Sequence, residues 1–425
     1  MTRLSILVVA TLLLAASALA APRQEIWYHT GYPGGVTGPR SGLSARMGPT
    51  KMPVVFEAIV AEQLVGGAQL HTDSPLVAGR RAPAPPIDLE SLRAVHSDRY
   101  LNALFTGQPK SLACSQGLPE WTPSIARGWL LNVGGLYAAA DAALRKRTIT
   151  ANLGHGYHHA GVNRGEGFCT LNGLAVVAQK LVREGKARRV MIVDLDQHEG
   201  NGSAACLLGQ APIWNVSIYG SNMGGPPAAG NNHVTEVSHA ALDKGRPRDL
   251  NYLATISSQL PELIRRHDPD LVLYQAGMDP HDRAGVSAEA LAVRDAYVMA
   301  VCRAMGKPVT WVLAGGYSDL ETLKRLHTGT VRAANQVLER VKPGDAVRSS
   351  RGGDPYTWSA RDRVVEFPDW ARLLGRALQV KRGAVLDDAG TRRFALERER
   401  LRQRERVAEG DLQSAYRALL STSGR

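Results

Sequence analysis

The stretch VDLDQHEGNG, Val193 to Gly202, follows an apolar run with acids, a histidine and glycines. If it closes a strand, side-chain alternation sends Asp194, Asp196 and His198 the same way. Imidazole nitrogen and carboxylate oxygen are both zinc donors, and a catalytic zinc keeps one position open for water. Asp196 and His198 can therefore offer two ligands from one strand end. Asp279, closing LVLYQAGMD, is the candidate third. Gly200 and Gly202 let the chain turn away without crowding an ion. Taken alone, D-x-D-x-H reads equally well as a strand end capped by hydrogen-bonded acids.

A second stretch favours chemistry. GHGYHHAGVNRGEGFCTLN, residues 154–172, sets His158 and His159 side by side in a glycine-rich loop. A metal-activated water attacking an amide needs a base for its proton and an acid for the leaving amine. Two imidazoles can serve both steps if partners set their pKa values apart. Asp194, not needed as a ligand, could orient one imidazole, and Asn201 the other. In AGGYS, 314–318, Tyr317 follows two glycines and is placed to donate a hydrogen bond to a developing oxyanion.

The elements that must position these residues follow from the hydrophobic pattern. Strands are expected at 148–156, 189–198, 213–220, 270–279 and 309–318, with helices at roughly 125–145, 172–184, 249–267, 287–305 and 319–340. Apolar strands separated by helices imply a parallel sheet covered on both faces. Such sheets bind ligands at the carboxyl ends of their strands. Four of the five expected strands end in polar or glycine-rich residues, so those ends converge on one site.

Together GYHHA…GFC…N, VDLDQHEGNG, QAGMD and AGGY resemble the histone deacetylase family, in that family's order and at similar spacing. The likeness spans roughly residues 28–340 and is greatest to class IV-like deacetylases. It implies a three-layer α/β fold of the arginase/deacetylase type, with a central, mainly parallel sheet. It further implies that Asp196, His198 and Asp279 bind a catalytic Zn2+. His158 and His159 become the paired histidines, supported by Asp194 and Asn201, and Tyr317 polarises the substrate carbonyl. Phe168 lines a narrow tunnel for an acylated amine chain, with Gly156 in its wall. A structural monovalent cation, K+, is implied beside the zinc, at Asp194, Asp196, His198, Ser217 and the backbone of Ile218. The implied activity is hydrolysis of an acetyl or short acyl group from an N-acylated amine, such as acetyl-lysine or acetylpolyamine, releasing acetate.

Several positions depart from the family pattern. Asn201 stands where many relatives have an acid, and Glu199 follows His198 where many have a second histidine. The loop PHDRAGVS after Asp279 is short, the helix start near Lys51 lacks a His-Pro-Glu pattern, and Glu120 is the candidate rim acid. Two other functions compete. A dinuclear manganese hydrolase of arginase type needs further carboxylates, and Glu199-Gly200 does not supply the expected one. A catalytically silent, deacetylase-like scaffold is the other alternative.

Composition sets the frame. The 425 residues are 44% hydrophobic with 43 glycines, which fits a globular, loop-rich chain and excludes a disordered or fibrous one. The net charge of +12 favours anionic surfaces, but no nucleic-acid-binding module is recognisable and none is expected as a partner. The apolar run from Leu4 and the Ala18-Leu19-Ala20 site read as a signal peptide over 1–20, giving an exported protein, periplasmic or secreted if bacterial. An uncleaved anchor is the alternative. No later segment reaches a spanning length, so no transmembrane span is expected in the mature chain. The four cysteines are widely spread and read as free thiols. The catalytic domain is expected over 21–342. The remainder, 343–425, reads as a linker and a charged, solvated helix over 391–420.

Overall fold

The computed structural model describes residues 22–32, 51–154, 156–237, 246–351, 353–361, 363–374, 381–382, 387–404 and 406–421. The expected signal segment and its cleavage site fall outside these residues. The strands are β1 (Glu25–Trp27), β2 (Leu70–His71), β3 (Ile149–Asn152), β4 (Val190–Asp194), β5 (Ile213–Tyr219), β6 (Asn232–Glu236), β7 (Leu271–Ala276), β8 (Val309–Leu313), β9 (Ala346–Ser350), β10 (Ser359–Arg361), β11 (Val364–Pro368) and β12 (Lys381–Arg382).

One sheet runs β12-β6-β5-β4-β7-β8-β3-β1-β2. Every pairing in it is parallel except β12 on β6. The eight parallel strands and the helices around them form the expected α/β fold. The layering is visible within single strands. On β4, Met191 and Val193 pack into one apolar cluster while Val190 and Ile192 pack into the other. On β7, Val272 and Tyr274 alternate with Leu271 and Leu273 in the same way. A strand buried on both faces has no polar side, which is why these runs are apolar throughout.

The five expected strands and five expected helices all form, the helices as Pro123–Lys146, Gly173–Arg183, Arg246–His267, Ala288–Ala304 and Leu320–Arg340. Side chains of Thr122, Asn172, Ser287 and Asp319 cap four of their N-termini by accepting backbone N–H groups. β1 and β2 carry too few residues to show a period in sequence, and the five-residue β6, NHVTE, is too polar to read as a buried strand.

After residue 342 the structure differs from the sequence reading. The segment expected to be a linker forms a three-stranded sheet, β10-β11-β9, and Val365, Phe367 and Trp370 enter the first core cluster. The expected single helix is two, Asp388–Arg404 and Glu409–Ser421. The first has no buried residue. The second buries Leu412, Tyr416 and Leu419 against the main body, and the Tyr416 hydroxyl donates to the Ile87 carbonyl at 2.5 Å. That spacing is an apolar helical stripe obscured by the surrounding arginines.

Candidate metal centre and active site

The carboxyl ends of β4, β7 and β8 meet where the sequence places its polar residues. Register sets Asp194 of β4 beside Ser217 of β5 and Gln275 of β7. Two residues beyond β4, Asp196 accepts the Gly315 N–H at 2.8 Å from the loop after β8. Asp279 accepts the Gln197 N–H at 3.0 Å through one oxygen. Single donor atoms of Asp196, His198 and Asp279 all lie within 4.8 Å of one another.

These three residues fit a divalent metal ion. The second carboxylate oxygen of Asp279 is buried without a hydrogen-bond partner, though it lies 2.8 Å from His198 Nδ1. The donors, one imidazole nitrogen and two carboxylates, are those of a three-residue catalytic site. The chain has cleared space around them. A Cβ on Gly315 would lie 2.6 Å from carboxylate oxygens of both Asp196 and Asp279, and one on Gly277 would lie 2.5 Å from Asp196 Cα. Both glycines were visible in QAGMD and AGGYS without a stated role.

The electrostatics agree. Burial works against charge on His198, yet hydrogen bonds and charge from Asp196 and Asp279 raise it to about 10. Burial, with the Asp196 charge added, lifts Asp279 to about 7. Two acids this close repel, and a cation between them relieves that repulsion.

The histidine pair stands beside this cradle. His158 Nδ1–H donates to Asp194 at 2.8 Å and His159 Nδ1–H to the Asn201 amide oxygen at 2.7 Å. Their rings lie 3.8 Å apart between centroids. Burial disfavours the charged form of His158, but Asp194 and Asp196 override it and raise the group to about 9. Burial and the neighbouring positive charge of His158 lower His159 to about 3, against the pull of the Asn201 hydrogen bond. One imidazole is thus held charged and the other neutral.

Tyr317 is half-buried, its ring 6.4 Å from that of His198 and nearly perpendicular to it. Its loop is held at several points. Tyr317 N–H donates to Asp282 at 3.2 Å, and Met278 N–H to the Gly315 carbonyl at 2.9 Å. Lys51 Nζ donates to the Ala314 carbonyl at 2.5 Å from a fully buried position. Lys51 is the residue that the sequence reading missed: only the absence of a family pattern had marked that helix start. The Arg283 guanidinium also covers the Tyr317 ring at 4.9 Å.

Gly156 and Phe168 adjoin, since a Cβ on Gly156 would come within 3.1 Å of the Phe168 carbonyl and 3.3 Å of the Trp129 ring. Phe168 holds φ at +65°, an uncommon conformation for a large side chain, fastened by its N–H to the Gln116 carbonyl at 2.8 Å. Glu120 is exposed in the loop that follows Gln116. Glu199 turns away from the cradle and accepts the N–H groups of Met223 and Gly225, each at 3.1 Å. It therefore does not offer the second-metal carboxylate of an arginase-type centre.

A family model described as the histone deacetylase domain matches residues 46–334. The chain belongs to the histone deacetylase family. Membership implies a deacetylase hydrolase. An uncharacterized protein of Picosynechococcus sp. is 33% identical over 256 residues, 58% of this chain and 82% of that protein. Histone deacetylase 2 of Arabidopsis thaliana is 27% identical over 242 residues, covering 53% of this chain and 60% of its own length. The acetoin utilization protein AcuC of Bacillus subtilis is 27% identical over 212 residues, covering 45% and 53%. The chain thus matches little more than half the length of the latter two. Among solved structures, the crystal structure of the HDA15 HD domain superposes with a TM-score of 0.57 at 20% identity, over 74% of this chain and 94% of that one. At that identity the superposition supports the fold.

Proposed function

We propose that this histone deacetylase family member is a zinc-dependent amidohydrolase that removes an acetyl or short acyl group from an N-acylated amine. The observation that carries the reading is two imidazoles, one on the Asp194 carboxylate and one on the Asn201 amide, beside a three-ligand cradle with the Tyr317 ring next to His198. Asp196, His198 and Asp279 would hold the zinc, which supplies Lewis-acid activation of water and of the acyl oxygen.

The chain's own groups do the rest. His159, neutral and oriented by Asn201, accepts the proton of the attacking water at Nε2. His158 stays protonated against Asp194 and places positive charge beside the forming oxyanion. The Tyr317 hydroxyl donates to that oxygen, an interaction strongest once charge has developed there. A protonated imidazole then returns its proton to the leaving nitrogen, giving acetate and a free amine. Phe168, Gly156 and buried Trp129 form a wall that suits a linear acyl amine better than a bulky sugar.

Three finer points belong to the same reading. The chain would be a class IV-like member, a reading supported by the GYHHA and VDLDQHEGNG sequences, and an exported one, a reading supported by the N-terminal apolar segment. The monovalent cation would sit by Asp194, Asp196, His198 and Ile218 with Ser217, whose hydroxyl accepts the Gly200 N–H at 3.2 Å and keeps a lone pair free. Acetate release by the zinc-loaded protein, measured on acetyl-lysine peptides, acetylpolyamines and N-acetylglucosamine oligomers with Asp279→Ala as the blank, tests the reaction and ranks its substrates. Release equal to the blank on every substrate, with zinc bound stoichiometrically, would favour a silent binding scaffold.

A further inference from the structure

We propose that the helix Asp388–Arg404 is a docking surface for an anionic lipid bilayer. This inference does not depend on the catalytic reading. None of the helix's residues is buried, yet its inward face is fastened to the body. Arg398 donates to the carbonyls of Cys206 and Leu208 at 3.2 and 2.7 Å, and Arg402 donates to the Arg93 carbonyl at 2.5 Å. Those anchors, four residues apart, fix which side looks out. The opposite side presents Arg392, Arg393, Leu396, Arg400 and Arg404 at helical spacing.

The outward face combines charge with the exposed hydrocarbon of Leu396, while Phe394, one turn before Arg398, stands on the anchored side. Among the described residues, three large apolar side chains are exposed, and two of them are Phe394 and Leu396, at 44% and 63%. No acidic group lies within ion-pair distance of Arg392, Arg393 or Arg404 among the described residues, and Arg400 reaches Glu397 only at 3.9 Å. Free guanidiniums around the exposed Leu396 match the boundary between phosphate headgroups and acyl chains. A soluble polyanion would use the arginines and leave Leu396 without a role.

The placement suits a protein that works while docked. Thr391 lies against Gly230 and Ala395 against Gly209, which precede β6 and β5 respectively. The helix therefore flanks the amino ends of the strands, while the metal cradle opens at their carboxyl ends. If the segment beginning at Leu4 stays uncleaved, the alternative to a signal peptide, it would hold this face near headgroups.

Sedimentation of the full chain with vesicles of phosphatidylcholine, with and without about 30% phosphatidylglycerol, tests the proposal. Wild type is expected to bind the anionic vesicles at least about tenfold more tightly, and to lose that preference as added salt shortens the screening length. The combined variant R392Q/R393Q/R400Q/R404Q should lose the preference while keeping its acetate release. L396S should weaken vesicle binding about threefold or more and leave binding to heparin unchanged. Equal retention by both vesicle types would assign binding to the N-terminal apolar segment and overturn the proposal. So would an unaffected quadruple variant, or an L396S variant that binds vesicles normally while the quadruple one loses heparin and vesicles alike.

Discussion

Replacing Asn201 by Asp puts a carboxylate where an amide oxygen now accepts from His159 at 2.7 Å. The two side chains have the same shape, so the hydrogen bond and the start of helix Asn201–Leu207 are retained while a charge is added. His159 stands at about 3, held down by burial and by His158. A unit charge pair about 4 Å apart is worth about 4 kcal/mol at an effective dielectric of about 20, or roughly three pKa units. Desolvation of the new carboxylate offsets part of this, leaving a rise of about two units. A base with a higher pKa is protonated, and so disabled, up to a higher pH. The acid limb of kcat/KM should therefore move about two units toward neutrality in Asn201→Asp, with the alkaline limb in place. A bound dication lowers the limb in both proteins and preserves the difference. Acetate release from one N-acetyl substrate, followed across pH for both zinc-loaded proteins, makes the measurement. An unmoved acid limb at equal zinc content would refute His159 as the proton acceptor.

Tyr317→Phe should lower kcat/KM about 10²- to 10³-fold with zinc content unchanged, and a loss under about threefold in steady-state kinetics would remove Tyr317 from the oxyanion role. Gly315→Ala drives a Cβ into carboxylate oxygens of Asp196 and Asp279 at 2.6 Å. Competition with a chelator should then show zinc affinity reduced at least about tenfold. His158 and His198 stand near 9 and 10 in the folded chain, above the ordinary 6.5. Raised folded values contribute stability that is complete below about pH 6.5 and lost as pH climbs through 9 and 10, so the urea midpoint of metal-free protein should fall across that window. A flat or rising midpoint would contradict the charge on the cradle. Leu412→Ala should cost about 2–4 kcal/mol in urea unfolding, because the helix Glu409–Ser421 packs into the main body. An unchanged midpoint would show that the C-terminal helix adds nothing to the body's stability.

The strands and helices that carry the site were legible because they are strongly periodic. An apolar run buried on both faces, followed by a capped amphipathic helix, announces itself locally. Alternation predicts that Asp194, Asp196 and His198 point the same way, but β4 stops at Asp194 and the bend that follows brings Asp196 and His198 to the cradle. The C-terminal helices were harder to read. Leu412, Tyr416 and Leu419 form a stripe, but charged neighbours hide it, and only the surface they cover shows that it is a core face. β9 and β11 pair parallel side by side, with the short β10 antiparallel on the other edge of β11, an arrangement that composition does not announce.

The sequence by itself determined the inventory: three candidate metal ligands, two histidines with candidate partners, a tyrosine after paired glycines, and a sheet to hold them. Those features arise from residue type and short-range spacing, which strand and helix geometry convert directly into direction. The tertiary structure decided what depends on distant segments meeting. It set Lys51 beneath the Ala314 carbonyl, Arg283 over the Tyr317 ring, and Glu199 onto the N–H groups of Met223 and Gly225. It also separated the two imidazoles, one near 9 and one near 3. That difference comes from burial and from charges brought together by folding, and neither is a property of the neighbouring residues His158 and His159 alone.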